Sequence, residues 1–196
     1  MPRHTLDFWF DFSCPYAYLA STQVEALAAR AKVNLVYKPM LLGGVFRAVS
    51  TPQNLMNELS PAKARHNALD MHRWAELFGV PLTMPAAHPM RTVEALRATL
   101  VSGIDPRVVT GFYRAYWIEG RPPSAPETMR DVLTTAGHDA DRVLAALDSV
   151  KDDLRVRTDE AIALGIFGAP AFVVAGEMYW GQDRMQFVER ALARME

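Results

Sequence analysis

Aromatic and aliphatic residues fill the stretch Thr5-Leu6-Asp7-Phe8-Trp9-Phe10-Asp11-Phe12. A short run this rich in rings predicts a strand buried on at least one face. After Ser13-Cys14-Pro15 the spacing changes. Tyr18, Leu19, Thr22, Val24, Leu27, Ala28 and Ala31 recur at three- and four-residue intervals, which predicts a helix from about Pro15 to Lys32. Proline suits the start, because its φ is already helical and the first turn needs no donor from it. Asn34-Leu35-Val36-Tyr37-Lys38 then predicts a second short strand, ended by Pro39. A β-α-β opening of this kind normally builds a parallel sheet through a right-handed crossover.

From about Val45 to Leu164 the pattern is almost wholly helical, with helices expected over 61–78, 90–100, 106–118, 127–136, 139–147 and 151–164. Gly, Pro, Ser and Asp punctuate them, Gly79 standing where a helix C-terminus favours glycine. Near the end, Ala171-Phe172-Val173-Val174-Ala175, Gly176-Glu177 and Met178-Tyr179-Trp180 predict a hairpin, and 182–195 predicts a closing helix with Met185, Val188 and Leu192 inward. The order β-α-β, helical block, β-β-α is that of an α/β, thioredoxin-like fold with an all-helical domain inserted in its middle. Residues 1–44 and 165–196 are expected to form the thioredoxin-like domain, and residues 45–164 the insertion.

Composition narrows the function. The chain has 196 residues, 50% hydrophobic and 22% charged, which is the make-up of a globular unit and not of a disordered or low-complexity chain. Its 21 basic and 22 acidic residues give a formal charge of −1, so no electrostatic footprint points to nucleic acid or to an anionic membrane. Met1-Pro2-Arg3-His4 does not open a secretory leader, and the apolar run from Ala161 to Phe172 is broken by Gly165, Gly168 and Pro170, far short of the roughly 18 residues of a membrane span. A soluble cytoplasmic protein is expected. The single cysteine, Cys14, excludes an intramolecular disulfide, a CxxC pair and a zinc site with two thiolates from one chain. His66 and His72 do not share a helix face, and no HExxH, Walker loop or GxGxxG occurs, so no metal or nucleotide cofactor is expected.

Two local features carry candidate chemistry. Cys14 falls where the first strand meets the first helix, and unpaired N–H groups and the helix dipole there favour an anion, so a thiolate with a depressed pKa is expected. Gly168-Ala169-Pro170 directly precedes a predicted strand, where a cis proline would present the Ala169 backbone to an extended ligand. In a thioredoxin-like fold that loop would face the start of the first helix.

The run from Asp7 to Ala20, DFWFDFSCPYAYLA, resembles the start of the 2-hydroxychromene-2-carboxylate isomerases and the related kappa-class glutathione transferases. Phe167-Gly168-Ala169-Pro170-Ala171-Phe172 and Trp180-Gly181-Gln182-Asp183-Arg184 resemble the family's second signature, and the stretch from Arg73 to Pro81 with Met84-Pro85 resembles its middle. The resemblance implies a glutathione-dependent enzyme on a DsbA-like scaffold, a homodimer whose substrate is a small aromatic carboxylate. It places Cys14 where the family usually has a serine that hydrogen-bonds the glutathione sulfur. It further implies that the Ala169 backbone, beside Pro170, pairs with the cysteinyl part of glutathione, and that Gln182 and Asp183 hold its γ-glutamyl end. Asn54 and Lys63 lie near family positions that contact glutathione. Arg47, Arg65, His66, His88 and Arg91 are the remaining candidates for binding an aromatic carboxylate. The function expected is isomerisation of 2-hydroxychromene-2-carboxylate or a related aromatic catabolite. The alternatives are a kappa-like transferase, monothiol disulfide exchange through Cys14, and a non-catalytic thioredoxin-like binding module.

Overall fold

The structure, a computed structural model, describes residues 4–195. The reading of the amino terminus therefore rests in part on residues 1–3, outside the described residues. β1 (Thr5–Phe10) pairs in parallel with β2 (Asn34–Pro39) and antiparallel with β3 (Ala171–Val174), which pairs antiparallel with β4 (Glu177–Trp180), giving the order β2-β1-β3-β4. α1 (Pro15–Arg30) is the crossover between the parallel strands. The hairpin turn falls one residue earlier than expected. Ala175 and Gly176 both have positive φ, as a two-residue primed turn requires, so Glu177 joins β4.

Between the two strand pairs lie α2 (Leu42–Ala48), α3 (Pro61–Phe78), α4 (Val93–Val101), α5 (Pro106–Trp117), α6 (Pro126–Thr135), α7 (Ala140–Ala145) and α8 (Lys151–Ala163). Their limits follow local chemistry. Pro61, Pro106 and Pro126 open helices, Ser60, Asp105 and Asp139 cap them with side-chain oxygens, and Gly79 ends α3 in the left-handed region at φ 67°. The helix expected over 139–147 stops at Ala145 and passes into a 3₁₀ turn at Leu147–Val150. The closing helix is shortened likewise, a 3₁₀ turn at Gln182–Arg184 preceding α9 (Met185–Ala193).

The rings of β1 continue into the helical block. Phe8 lies 5.5 Å from Phe10 and from Phe172, Phe10 lies 6.0 Å from Tyr113, and Phe12 lies 5.3 Å from Phe112 and 5.1 Å from Tyr113. α5 therefore packs directly on the end of β1, which fixes the turn leading to Cys14.

Asp105 shows how a cap contributes to stability here. Its carboxylate accepts from the Arg107 N–H at 2.8 Å and from the Arg107 guanidinium at 2.7 Å, and lies 3.0 Å from His138 Nε2. The Arg107 guanidinium, with the His138 ring, holds the carboxyl well below the usual carboxylate range. A group depressed in the folded state stabilises above its unfolded pKa and loses that contribution as pH falls. Asp105→Ala should therefore lower stability by about 1 kcal/mol at neutral pH, and the gap to wild type in urea melts should narrow below about pH 4. A gap that widens on acidification would contradict this assignment.

Candidate functional site

The chain leaves β1 at Phe10, turns through Asp11, Phe12 and Ser13, and enters α1 at Pro15, so Cys14 is the N-cap residue of α1. Its N–H donates to the Asp11 carbonyl at 3.2 Å. Its side chain does not cap the helix. Instead Sγ donates to the Ala169 carbonyl at 3.0 Å, joining positions 155 residues apart. The Ala169–Pro170 peptide is cis, and the Ala169 N–H has no backbone acceptor among the described residues. The structure thus brings Cys14, Ala169 and Pro170 together.

The expected thiolate is not what this geometry stabilises. Cys14 is only 7% exposed, and burial pushes its thiol up to about 12, outweighing the Tyr16 and Ala17 N–H groups that pull it down, while Asp11 pushes it further up. The helix-start argument named a real effect and missed the larger one, because burial depends on loops distant in sequence. At neutral pH Cys14 is a protonated donor.

Tyr16, on the first turn of α1, escaped sequence reasoning. Its hydroxyl donates to Asn67 Oδ1 on α3 at 2.5 Å, and burial, with the charges of Asp70, Cys14 and Asp183, raises it to about 12. The one available signal was its place two residues after Cys14 at an open helix end. Asp183 is near enough to Tyr16 for its charge to act on that hydroxyl. Gln182 is buried and Asp183 half-buried, and both line a cleft of about 340 Å³ that also touches Gln23, Trp74 and Phe78. Asp183 pairs with Arg184 at 2.6 Å. Gly181 donates to the Pro170 carbonyl at 3.0 Å, tying this segment to the Ala169–Pro170 loop. Glycine at 168 has a steric reason: a Cβ there would meet Trp180 Nε1 at 2.7 Å.

The other candidates are placed differently. Lys63 is exposed in the first turn of α3, its N–H held by Ser60 Oγ, and Asn54 is half-buried between α2 and the 3₁₀ turn at Leu55–Glu58. Arg47, Arg65 and His66 are exposed, and Arg91 is held by Glu94 at 2.6 Å. His88 is built in more firmly. The Tyr116 hydroxyl accepts from the Met90 N–H at 2.7 Å and lies 2.8 Å from His88 Nδ1, and burial lowers the His88 pKa. Among the described residues no three His, Cys, Asp or Glu side chains gather as a metal site, and no helix is long and apolar enough to cross a membrane.

Comparison with known proteins identifies the family. A family model described as the DSBA-like thioredoxin domain matches residues 5–193. The chain is 31% identical over 192 residues to a 2-hydroxychromene-2-carboxylate isomerase of Sphingobium xenophagum, covering 96% of this chain and 97% of that one. It is 25% identical over 210 residues to glutathione S-transferase kappa 2 of Caenorhabditis elegans, covering 97% and 92%. A solved structure of a 2-hydroxychromene-2-carboxylate isomerase superposes with a TM-score of 0.87 at 26% identity, over 97% of this chain and 95% of that one. With a thioredoxin-like sheet, a cap residue at Cys14 facing a cis-proline loop, and these relatives along its whole length, the chain belongs to the DSBA-like thioredoxin family, among the 2-hydroxychromene-2-carboxylate isomerases related to the kappa-class glutathione transferases.

Proposed function

We propose that the protein is a glutathione-dependent isomerase acting on 2-hydroxychromene-2-carboxylate or a related aromatic carboxylate, working in the cytoplasm as a homodimer. The observation that carries this reading is the Cys14 thiol poised 3.0 Å from the Ala169 carbonyl at the start of α1. The residues fit a γ-glutamyl tripeptide. Ala169 offers an N–H without a backbone acceptor, Cys14 offers a donor, and Asp183 offers a carboxylate at the edge of a cleft beside a helix start. The chemistry glutathione supplies when bound is a sulfur nucleophile that adds to a conjugated carbon and is later released, so that the substrate is isomerised and glutathione is not consumed.

The chain's own residues do the rest. Cys14, protonated at working pH, turns its S–H from Ala169 toward the incoming sulfur and favours its anionic form. The N–H groups at the head of α1 add to that field. The Ala169 backbone aligns the tripeptide, and Asp183 receives its ammonium in exchange for Arg184. Pro170 keeps the loop in place, while Gln182, Asn54 and Lys63 are the further contacts proposed for glutathione.

Purified protein given the chromene carboxylate should turn over only when glutathione is present, followed by the absorbance of the ring-opened product. Turnover of equal rate without glutathione would overturn the reading. Asp183→Asn should raise the KM for glutathione roughly tenfold, the equivalent of about 1.4 kcal/mol of lost charge pairing, with kcat nearly unchanged. A transferase activity on the same scaffold is a second reading, supported by the kappa relatives at 25% and 24% identity. Disulfide exchange through Cys14 is disfavoured by the burial that keeps its thiol protonated.

A further inference from the structure

Among the described residues, the most heavily bonded buried charge stands three residues before Cys14 and has no part in the steps above. Asp11 is 1% exposed. Its Oδ1 accepts from the Ser13 N–H at 3.0 Å, the Ser13 hydroxyl at 3.1 Å and the Thr92 hydroxyl at 2.8 Å, and its Oδ2 accepts from the Leu42 N–H at 2.8 Å. The Ser13 and Leu42 N–H groups can only donate, and the two hydroxyls donate to the carboxylate as well, so its two oxygens receive four hydrogen bonds.

These bonds join three parts of the chain. Ser13 belongs to the turn that delivers Cys14. Leu42 is the first residue of α2, whose own N-cap makes no side-chain bond, so Asp11 supplies that cap from the end of β1. Thr92 precedes α4 and caps nothing with its hydroxyl, which goes to Asp11 instead. The Asp11 backbone carbonyl also accepts the Cys14 N–H at 3.2 Å. A side chain that only filled space here would be apolar, since a buried charge is tolerated only when its hydrogen bonds are met.

We propose that Asp11 is a positioning residue for Cys14, fixing the Ser13–Cys14 turn against the starts of α2 and α4 and so setting where the Cys14 sulfur meets a bound thiol. The use made of that position rests on the glutathione reading above; the clamp itself does not. The titratable group that acts on the thiol is Asp11 behind it, and the thiol in turn faces Tyr16 on α1 and Tyr113 and Tyr116 on α5. The three tyrosine hydroxyls are held neutral by burial. Burial raises the Asp11 carboxyl too, and the hydrogen bonds from Ser13, Leu42 and Thr92 pull it back down.

The test compares Asp11→Asn, Thr92→Val and a control, Val143→Ala, which opens the core at α7 away from the turn. Alkylation of Cys14 by iodoacetamide, followed by intact mass between pH 6 and 10, reports the thiol without glutathione. Asp11→Asn should speed alkylation severalfold, because a turn no longer clamped at Ser13, Leu42 and Thr92 gives the reagent access to the buried sulfur and the anion behind it is lost. Thr92→Val, which removes one donor and leaves the turn's own residues intact, should move the rate in the same direction, and Val143→Ala should leave it as in wild type. In the isomerase assay the first two variants should lower kcat while the KM for glutathione holds. Alkylation at the wild-type rate in both Asp11→Asn and Thr92→Val overturns the proposal, as does an equal acceleration in Val143→Ala. Should Asp11→Asn not fold, Thr92→Val decides alone. Absence of glutathione-dependent turnover in the wild type would sink the isomerase reading and leave the alkylation comparison to decide on Asp11.

Discussion

Replacing Cys14 by alanine is expected to lower kcat for the glutathione-dependent isomerisation by roughly a hundredfold, the usual loss when one donor to a developing sulfur or oxygen anion is removed. Replacing it by serine should retain most of the rate. The distinction follows from where the side chain sits. Burial and the neighbouring Asp11 carboxylate hold the thiol up at about 12, and its proton is already aimed at an acceptor, the Ala169 carbonyl. A hydroxyl can make the same donation, and makes it better than a thiol does. If Cys14 acted instead as a covalent nucleophile, serine would be as inactive as alanine, because a serine without an adjacent base is a poor nucleophile at neutral pH. Steady-state kinetics of both variants, with circular dichroism to confirm folding, decides between donor and nucleophile. The raised thiol adds a pH signature. Wild-type kcat should show no inflection from Cys14 between pH 6 and 9, since the donor stays protonated throughout.

The largest loss of stability is expected from Trp117→Ala. Trp117 is fully buried at the end of α5, its indole N–H donates to the Phe12 carbonyl at 2.8 Å, and its ring lies 4.5 Å from Tyr116, 5.2 Å from His88 and 6.4 Å from Tyr18. Truncation removes the ring, opens a cavity where α5, α1 and the 79–92 segment meet, and leaves a buried carbonyl without its donor. Together these should cost about 3–5 kcal/mol, read as a shift of the urea midpoint. Trp117→Phe keeps most of the packing and loses the hydrogen bond, so a loss of about 1–2 kcal/mol is expected. Phe12 is two residues from Cys14, so both variants should also turn over more slowly than wild type. A Trp117→Ala protein within 1 kcal/mol of wild type would show that α5 is not what steadies this turn.

Much of the fold could be read from periodicity, because the apolar spacing of β1, α1 and α3 records which face each element buries, and proline, serine, aspartate and glycine mark the ends. The misses share a cause. The helices expected over 139–147 and 182–195 are each broken by a 3₁₀ turn, and α4 begins at Val93 and not at 90, where Thr92 turns its hydroxyl to Asp11 on another element. A second cis peptide, His88–Pro89, had no local signal. At the site, the pairing of Cys14 with the loop before Pro170 was legible once the element order was seen, because the first helix and that loop meet in any such sheet. Tyr16 was not, since its partner Asn67 lies on α3, 51 residues away.

The sequence by itself determined the element order, the single thiol at a helix start, and the glycine-alanine-proline loop that faces it. Those are local choices of residue type, and local physics reads them. Only the tertiary structure decided the state of that thiol. The dipole and N–H groups of α1 come with the sequence and favour a thiolate. The burial and the Asp11 carboxylate that reverse the outcome exist only once β1, α5 and the Ala169 loop have closed around Cys14, and desolvation of a charge outweighs the field of one helix end.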